Sequence, residues 1–298
     1  MRIVKSVREL QALADAERVG GARIALVTTM GALHAGHLSL VEEARRRADR
    51  VWVSIFVNPT QFDDARDLDA YPRAPVADFE RCREAGVDVV FAPDADQLYP
   101  AGDQTRVEVT ELTQPLCGSV RPGHFRGVTT VVTKLLLAAK PHVAVFGEKD
   151  FQQLAVIRRM VRDLGFDVEI VGAPIVREPD GLALSSRNAL LDPEARVQAQ
   201  VLSRALAAAE RAVDADECDG ARLLHLVRSE IEKAPRAVID YAELRDPDSL
   251  EPAPSLITGP TLLALAVWLR PAEGGSGPEL RLIDNRVLHP LHEQKDPQ

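Results

Sequence analysis

Cysteine is scarce in this chain. Cys82, Cys117 and Cys218 are the three among 298 residues, odd in number and far apart. They form neither a disulfide framework nor a zinc-ligand spacing, which fits three inert thiols in a reducing compartment. Excess positive charge is missing as well. The formal net charge of −9 argues against a general binder of nucleic acid or membrane surfaces, while leaving room for a local basic pocket. No stretch is apolar for long enough to span a bilayer. The start, Met1 to Arg8, lacks the apolar core of a secretory signal, so a cytoplasmic location is expected. There is no internal repeat, no G-x-G-x-x-G and no Walker lysine motif, so neither a dinucleotide nor a P-loop site is indicated. No Ser-His-Asp or Cys-His set is evident, so no covalent acyl-enzyme chemistry is indicated.

What remains is a chain with 46% hydrophobic and 27% charged residues, enough for a packed core and for two domains. Short apolar runs at Ile24–Val27, Val51–Val57, Val87–Phe91, His142–Phe146 and Asp167–Val171 predict strands, with helices between them. That alternation predicts an α/β fold, a Rossmann-like doubly wound parallel sheet with helices on both faces. A short further strand is expected near Arg106–Val109. After Ala173-Pro174 the character changes to helices near 193–213 and 219–233 and strands near 237–244, 262–269 and 279–283. The expected division is a nucleotide- and substrate-binding domain over 1–175 and a smaller α+β C-terminal domain over 176–298.

The central stretch is residues 24 to 47. An apolar strand runs into Gly31, His34, Gly36 and His37, and then into Leu38, Leu40, Val41 and Ala44 at helical spacing. Glycines permit tight turns and close approach of backbone to a ligand. The N–H groups and dipole at a helix start suit a phosphate, and imidazoles add donors there. A lone histidine in a strand-to-helix turn would carry no message; two of the seven, three apart between glycines, favour function.

Other strand ends carry similar chemistry. Asn58 and Gln61 follow the second strand, where open α/β sheets bind ligands, although Asn-Pro alone is ordinary turn chemistry. Residues 63–75 are acidic and turn-rich, a lid or a solvated loop. Arg121, His124 and Arg126 precede a helix over 128–139 and suit an anion as well as they suit a surface loop. Gly147-Glu148-Lys149-Asp150 lies at another strand-to-helix turn, with Gln153 one turn into the helix from Asp150 to about Arg162. Ser185, Ser186 and Arg187 bring two hydroxyls and a permanent cation together, a set able to follow charge onto a leaving pyrophosphate. Taken together the groups suit adenylyl transfer, in which catalysis is positioning and charge stabilisation.

Thr29-Met-Gly-Ala-Leu-His34-Ala-Gly-His37 resembles the HIGH-type motif of the nucleotidylyltransferase superfamily, in the form of the pantothenate synthetase (pantoate–β-alanine ligase) family. Phe56 to Phe62, Tyr71-Pro-Arg73, Arg121 to Gly127, Phe146 to Gln153, Ser185 to Asn188, Ile239-Asp-Tyr241 and Arg281 to Asn285 resemble that family's motifs in its order, over nearly the whole chain. The resemblance implies an AMP-forming ligation of pantoate and β-alanine through pantoyl adenylate. It implies that Met30, Gly31, Ala32, Leu33, His34, Ala35, Gly36 and His37 hold ATP, with His37 as proton donor to the phosphate. Gly147, Glu148, Lys149, Asp150, Val176 and Leu184 are implied at the nucleotide, and His34, Lys149, Ser185, Ser186 and Arg187 at its phosphates. Gln61, Gln153 and Asn58 are implied at pantoate. ATP with Mg²⁺, held mostly by phosphate oxygens, and a homodimer are further implications; the protein ligands of the metal stay unassigned, with Asp78 no more than a faint candidate. Neither nucleic acid nor a membrane is expected as a partner.

Thr28 departs from the family's usual proline, Leu184 from its usual methionine, and residues 267–280 are longer than usual. Two other readings compete: an adenylyltransferase for another acceptor, and a non-catalytic nucleotide sensor. A ligase for tRNA is disfavoured by the charge and by the lack of an anticodon-reading module.

Overall fold

The computed structural model describes residues 1–62, 68–69, 71–272 and 279–290. The expected lid over 63–75 and the linker over 270–278 therefore lie partly outside the described residues, as does the tail from 291. Contacts group the chain into two compact units, Met1–Val176 and Arg177–Gln298.

The first unit is built on β1 (Arg2–Val4), β2 (Ile24–Thr29), β3 (Arg50–Ile55), β4 (Val89–Phe91), β5 (Val143–Gly147) and β6 (Glu169–Ala173). They form one six-stranded, all-parallel sheet in the order β1-β4-β3-β2-β5-β6. Helices α1 (Val7–Val19), α2 (Ala35–Arg45), α3 (Pro75–Glu84), α4 (His124–Ala139) and α5 (Phe151–Asp163) connect the strands. The doubly wound parallel sheet expected from the alternating pattern is borne out.

β2 shows why its apolar run is uninterrupted. Ile24 and Leu26 join a core with Leu10, Leu135, Leu154 and Ile157 from α1, α4 and α5. Ala25 and Val27 join a second core with Leu40, Val41 and Cys82 from α2 and α3. A strand buried on both faces has no polar alternation, and each large aliphatic side chain so buried contributes about 1.5–3 kcal/mol. β2 lies between β3 and β5, so the winding direction reverses beside it. The loops leaving β2 and β5 flank that switch point, where such sheets bind ligands.

Three local expectations need correction. The strand expected near 106–109 does not form, because Thr130 Oγ1 accepts the Val107 N–H (3.0 Å) and Thr129 Oγ1 donates to its carbonyl (2.6 Å). Side chains of α4 thus satisfy a backbone that needs no strand partner. Helix α4 begins at His124, not Val128, after Gly123 in the left-handed region (φ +89°). The edge strand β1 was not foreseen; three residues are too few for a periodicity signal.

The second unit holds α6 (Pro193–Ala199), α7 (Val201–Asp214) and α8 (Gly220–Ile231), with antiparallel strands β7 (Ala237–Arg245), β8 (Thr261–Leu269) and β9 (Leu280–Leu288) in that order. The helix expected over 193–213 is split at Gln200, and the last strand, expected over 279–283, runs on to Leu288; the smaller α+β region has the expected helices and strands. Among the described residues no helix is long and apolar enough to cross a membrane.

Candidate active site

The loop from β2 to α2 is tightly determined. Gly31 and Ala32 both sit in the left-handed region, at φ +86° and +50°. A β-carbon on Gly31 would lie 3.0 Å from Asp78 Oδ2 and 3.3 Å from Ile55 Cγ2, so glycine is required by angle and by space. His34 is the N-cap of α2, and its backbone N–H donates to His37 Nδ1 at 3.3 Å, so residues 34 and 37 stand one turn apart at the helix start. Their rings lie with centroids 4.0 Å apart.

Because His37 Nδ1 accepts a backbone N–H, the ring proton sits on Nε2. Burial holds the His37 pKa down to about 3, helped by the neighbouring His34 and Lys149. The ring is therefore neutral near pH 7 and presents Nε2–H as a donor. The influence of Lys149 also shows that the 147–150 turn after β5 lies within electrostatic range of the histidine loop. Asp78 has both carboxylate oxygens on this loop: Oδ2 accepts Ala32 N–H (2.9 Å) and Oδ1 accepts Leu33 N–H (2.8 Å). As a faint candidate metal ligand it is displaced, since those oxygens are buried and engaged with backbone.

Beside the loop, Gln61 is held from several directions. Asn58, 1% exposed, donates Nδ2–H to the Gly127 carbonyl (3.1 Å) and to Gln61 Oε1 (3.0 Å). Its Oδ1 accepts from Tyr99 Oη–H (2.8 Å), Thr60 Oγ1–H (2.9 Å) and, at 3.4 Å, Thr60 N–H. Backbone groups have no ambiguity of orientation: a carbonyl fixes Nδ2 and an N–H fixes Oδ1. The Gln61 atom facing Nδ2 must then be its oxygen, which turns Nε2 toward Met30, 3.1 Å from Sδ. The Gln61 carbonyl accepts from Arg121 Nη2 (3.2 Å) and His124 Nδ1 (2.8 Å). Arg121 and His124, which suited an anion in the sequence, thus hold the Gln61 backbone.

Gly127 completes this cradle. A β-carbon there would lie 2.3 Å from the Thr60 carbonyl oxygen and 2.7 Å from Gln61 N, so α4 and the 59–61 turn touch through bare backbone. An open cavity of about 480 Å³ lies nearby, lined by Thr60, Phe62, Arg106 and Arg126. None of Met30, His34, His37, Lys149 or Gln61 lines it, so the chemistry is not placed there.

Two adjacent glutamines on α5 separate by burial. Gln152 staples the 112–117 segment, donating to Leu112 and Pro115 carbonyls (3.0 and 2.7 Å) and accepting from Cys117 N–H (3.0 Å). Gln153 stays partly exposed.

In the second unit, Ser185 caps a short 3₁₀ turn over Ser186–Leu190, its Oγ accepting from Arg187 N–H at 3.3 Å; Arg187 is exposed. The loop bearing these residues is anchored at both ends. Arg177 forms a two-pronged pair with buried Asp284 (2.7 and 3.0 Å) and donates to the Gly181 carbonyl (3.1 Å). Asn188 donates to Glu178 Oε1 (2.6 Å) and to the Ala183 carbonyl (3.0 Å), while Arg196 pairs with Glu178 and Asp180. In the sequence Asp78 stood only as a faint metal candidate and Gln152 only as part of a motif, and Tyr99 was missed; their roles are on backbone and side chains far away in the chain. Asp284 lay in a matching motif without a role.

The model of the pantoate-beta-alanine ligase family matches residues 2–287. A pantothenate synthetase of Geobacter sulfurreducens is 54% identical over 288 residues, covering 97% of this chain and 99% of the relative. A crystal structure of pantothenate synthetase from Thermus thermophilus superposes with a TM-score of 0.89 at 46% identity, covering 97% of this chain and all of the other. A ligase structure from Francisella tularensis, complexed with β-γ ATP and β-alanine, matches with a TM-score of 0.75 at 32% identity over 96% and 97% of the two chains.

Proposed function

The chain belongs to the pantoate-beta-alanine ligase family, and on that premise we infer that it condenses (R)-pantoate with β-alanine at the expense of ATP. The pantoate carboxylate attacks the α-phosphorus, forming the acyl phosphate bond as the bond to pyrophosphate breaks. The β-alanine amine then attacks the acyl carbon, AMP leaves with the bonding pair, and the nitrogen loses a proton. The observation that supports this most is the family match over nearly the full chain with His34 and His37 intact at the start of α2.

In this reading Met30 to His37, Gly147 to Asp150 and Val176 hold the nucleotide. His34 and Lys149 bear on its phosphates. Leu184, Ser185, Ser186 and Arg187 of the second unit are assigned to the same nucleotide from their motif. Neutral His37 offers Nε2–H to a phosphate oxygen, and the charge of bound triphosphate favours uptake of a second proton from solvent on Nδ1, in place of the His34 N–H, which makes the ring an acid. Pantoate is proposed to meet Gln61 Nε2, the amide end that faces Met30, joined by Gln153, and Asn58 acts through Gln61. Among the described residues no group of three or more His, Cys, Asp or Glu side chains could hold a metal. Magnesium is proposed to arrive on the triphosphate, whose oxygens and water supply ligands. A homodimer in the cytoplasm is proposed from the resemblance.

The test is ATP–pyrophosphate exchange with Mg²⁺, with and without pantoate. Exchange that requires pantoate, followed by release of pantothenate and AMP on adding β-alanine, is expected. ATP binding with no exchange would overturn the reading.

A further inference from the structure

Helix α3 faces the nucleotide loop with a carboxylate and a guanidinium one turn apart. Asp78, 1% exposed, accepts the N–H groups of Ala32 and Leu33, one on each oxygen. Arg81 donates from Nη1 to the Leu33 carbonyl. The peptide groups they grip include the two residues at positive φ, of which Ala32 has a side chain that disfavours that conformation. Directly after the grip comes His34, the N-cap of α2. We propose that Asp78 and Arg81 are positioning residues that hold the 31–33 turn in its left-handed form, and so place the histidine pair against the phosphates. This rests on the ligase reading for what the loop binds.

The geometry distinguishes this role from cation binding. A cation at Asp78 would have to enter a site closed to solvent and compete with two backbone N–H groups for the same oxygens. A carboxylate is also the right group for the task. Two adjacent N–H donors need two acceptors in one plane, and an ionised carboxylate supplies both with charge assistance. An amide in its place must turn an NH₂ toward one N–H, whichever way it is flipped.

Asp78→Asn is therefore the first variant, read by pantoate-dependent pyrophosphate exchange and by ATP binding in calorimetry. A misplacement of about 1 Å at a reacting centre costs about 10²-fold. The expected result is a fall of about that size in kcat/KM for ATP, ATP binding weakened about tenfold, and an unchanged Mg²⁺ midpoint. Adding Ala32→Gly to Asp78→Asn should recover several-fold of the loss, because glycine takes up the left-handed form without a grip; Ala32→Gly alone is the reference for the cycle. Exchange within threefold of the unsubstituted chain would overturn the proposal, as would a tenfold shift in Mg²⁺ midpoint with no rescue by glycine. If Asp78→Asn does not fold, Arg81→Met removes the exposed half of the clamp, with about tenfold loss expected and unchanged activity counting against it. Should the unsubstituted chain show no exchange, the ligase reading fails, and the clamp is then judged by the calorimetric ATP cycle.

Discussion

Asn58→Asp exchanges one NH₂ for one oxygen and tests the whole Gln61 cradle. Oδ1 keeps its donors: Tyr99 Oη–H and the Thr60 hydroxyl and N–H. The new oxygen, however, faces two acceptors, the Gly127 carbonyl and Gln61 Oε1. Gln61 can respond by rotating its amide to donate Nε2 inward, which presents Oε1 to the substrate instead. The Gly127 carbonyl is fixed in α4 and cannot turn away, so a buried carboxylate oxygen held against it with no donor between them costs about 1–3 kcal/mol of stability. Substrate binding loses a hydrogen bond to a charged partner, about 1.5–3 kcal/mol, or roughly 10- to 150-fold in kcat/KM for pantoate. Simple charge repulsion would also weaken pantoate, but repulsion through solvent fades with added salt and the amide rotation does not. The assay is exchange kinetics with pantoate varied at saturating ATP, at two ionic strengths. A kcat/KM for pantoate within twofold of the parent, or a loss that vanishes at high salt, would refute the assignment of Gln61 orientation to Asn58.

The His37 ring should stay neutral in the free protein down to about pH 4, as seen by its NMR shifts, and its pKa should rise when ATP is added. Its folded pKa lies below the unfolded 6.5, so its contribution to stability is full above pH 6.5 and falls as the pH drops. About 1–2 kcal/mol is lost by pH 5, and His37→Gln should flatten that slope in denaturant titrations. Titration near 6.5 in the free protein would sink the burial argument. Gly127→Ala places a carbon against rigid backbone at Thr60 and Gln61, so a loss of about 1–3 kcal/mol in urea unfolding and a raised KM for pantoate are expected. Asp284→Ala strips the buried partner from Arg177, whose side chain is 24% exposed, so about 3 kcal/mol is expected, the low end for a broken buried pair. Replacing both residues by Met and Leu should cost less than the single change, and equal costs would contradict the stranded-charge explanation.

The sheet was legible because its strands announce themselves by buried apolar runs, and β2 carries apolar side chains to both covered faces. The histidine loop was legible because its motif is local: glycines, imidazoles and the following helix lie within a few residues of one another. The roles of Arg121, His124 and Gly127 were not, since their partner, the backbone of Thr60 and Gln61, lies about sixty residues away. A basic cluster before a helix reads equally as an anion site or a backbone anchor, and only distance decides. Likewise Gln152 and Gln153 differ in burial alone, which adjacent identical side chains cannot reveal.

Two buried carboxylates show the same solution reached separately in the two units. Asp78 holds the turn before His34 by its peptide N–H groups. Asp284 holds Arg177, and through it the Gly181 carbonyl, at the start of the loop that carries Ser185 to Arg187. In both cases the carboxylate oxygens are engaged by donors of the protein itself. Loops rich in glycine and short polar side chains can approach a triphosphate closely, but they have little apolar surface with which to fix themselves. A carboxylate accepts two donors in a defined plane, so one residue from a rigid element can set a loop's path where packing cannot. It follows that conservative changes at these acids should weaken ligand placement more than their distance from the phosphates suggests. It also follows that glutamate should substitute poorly at either position, because the extra methylene has no room in a site that is nearly closed to solvent.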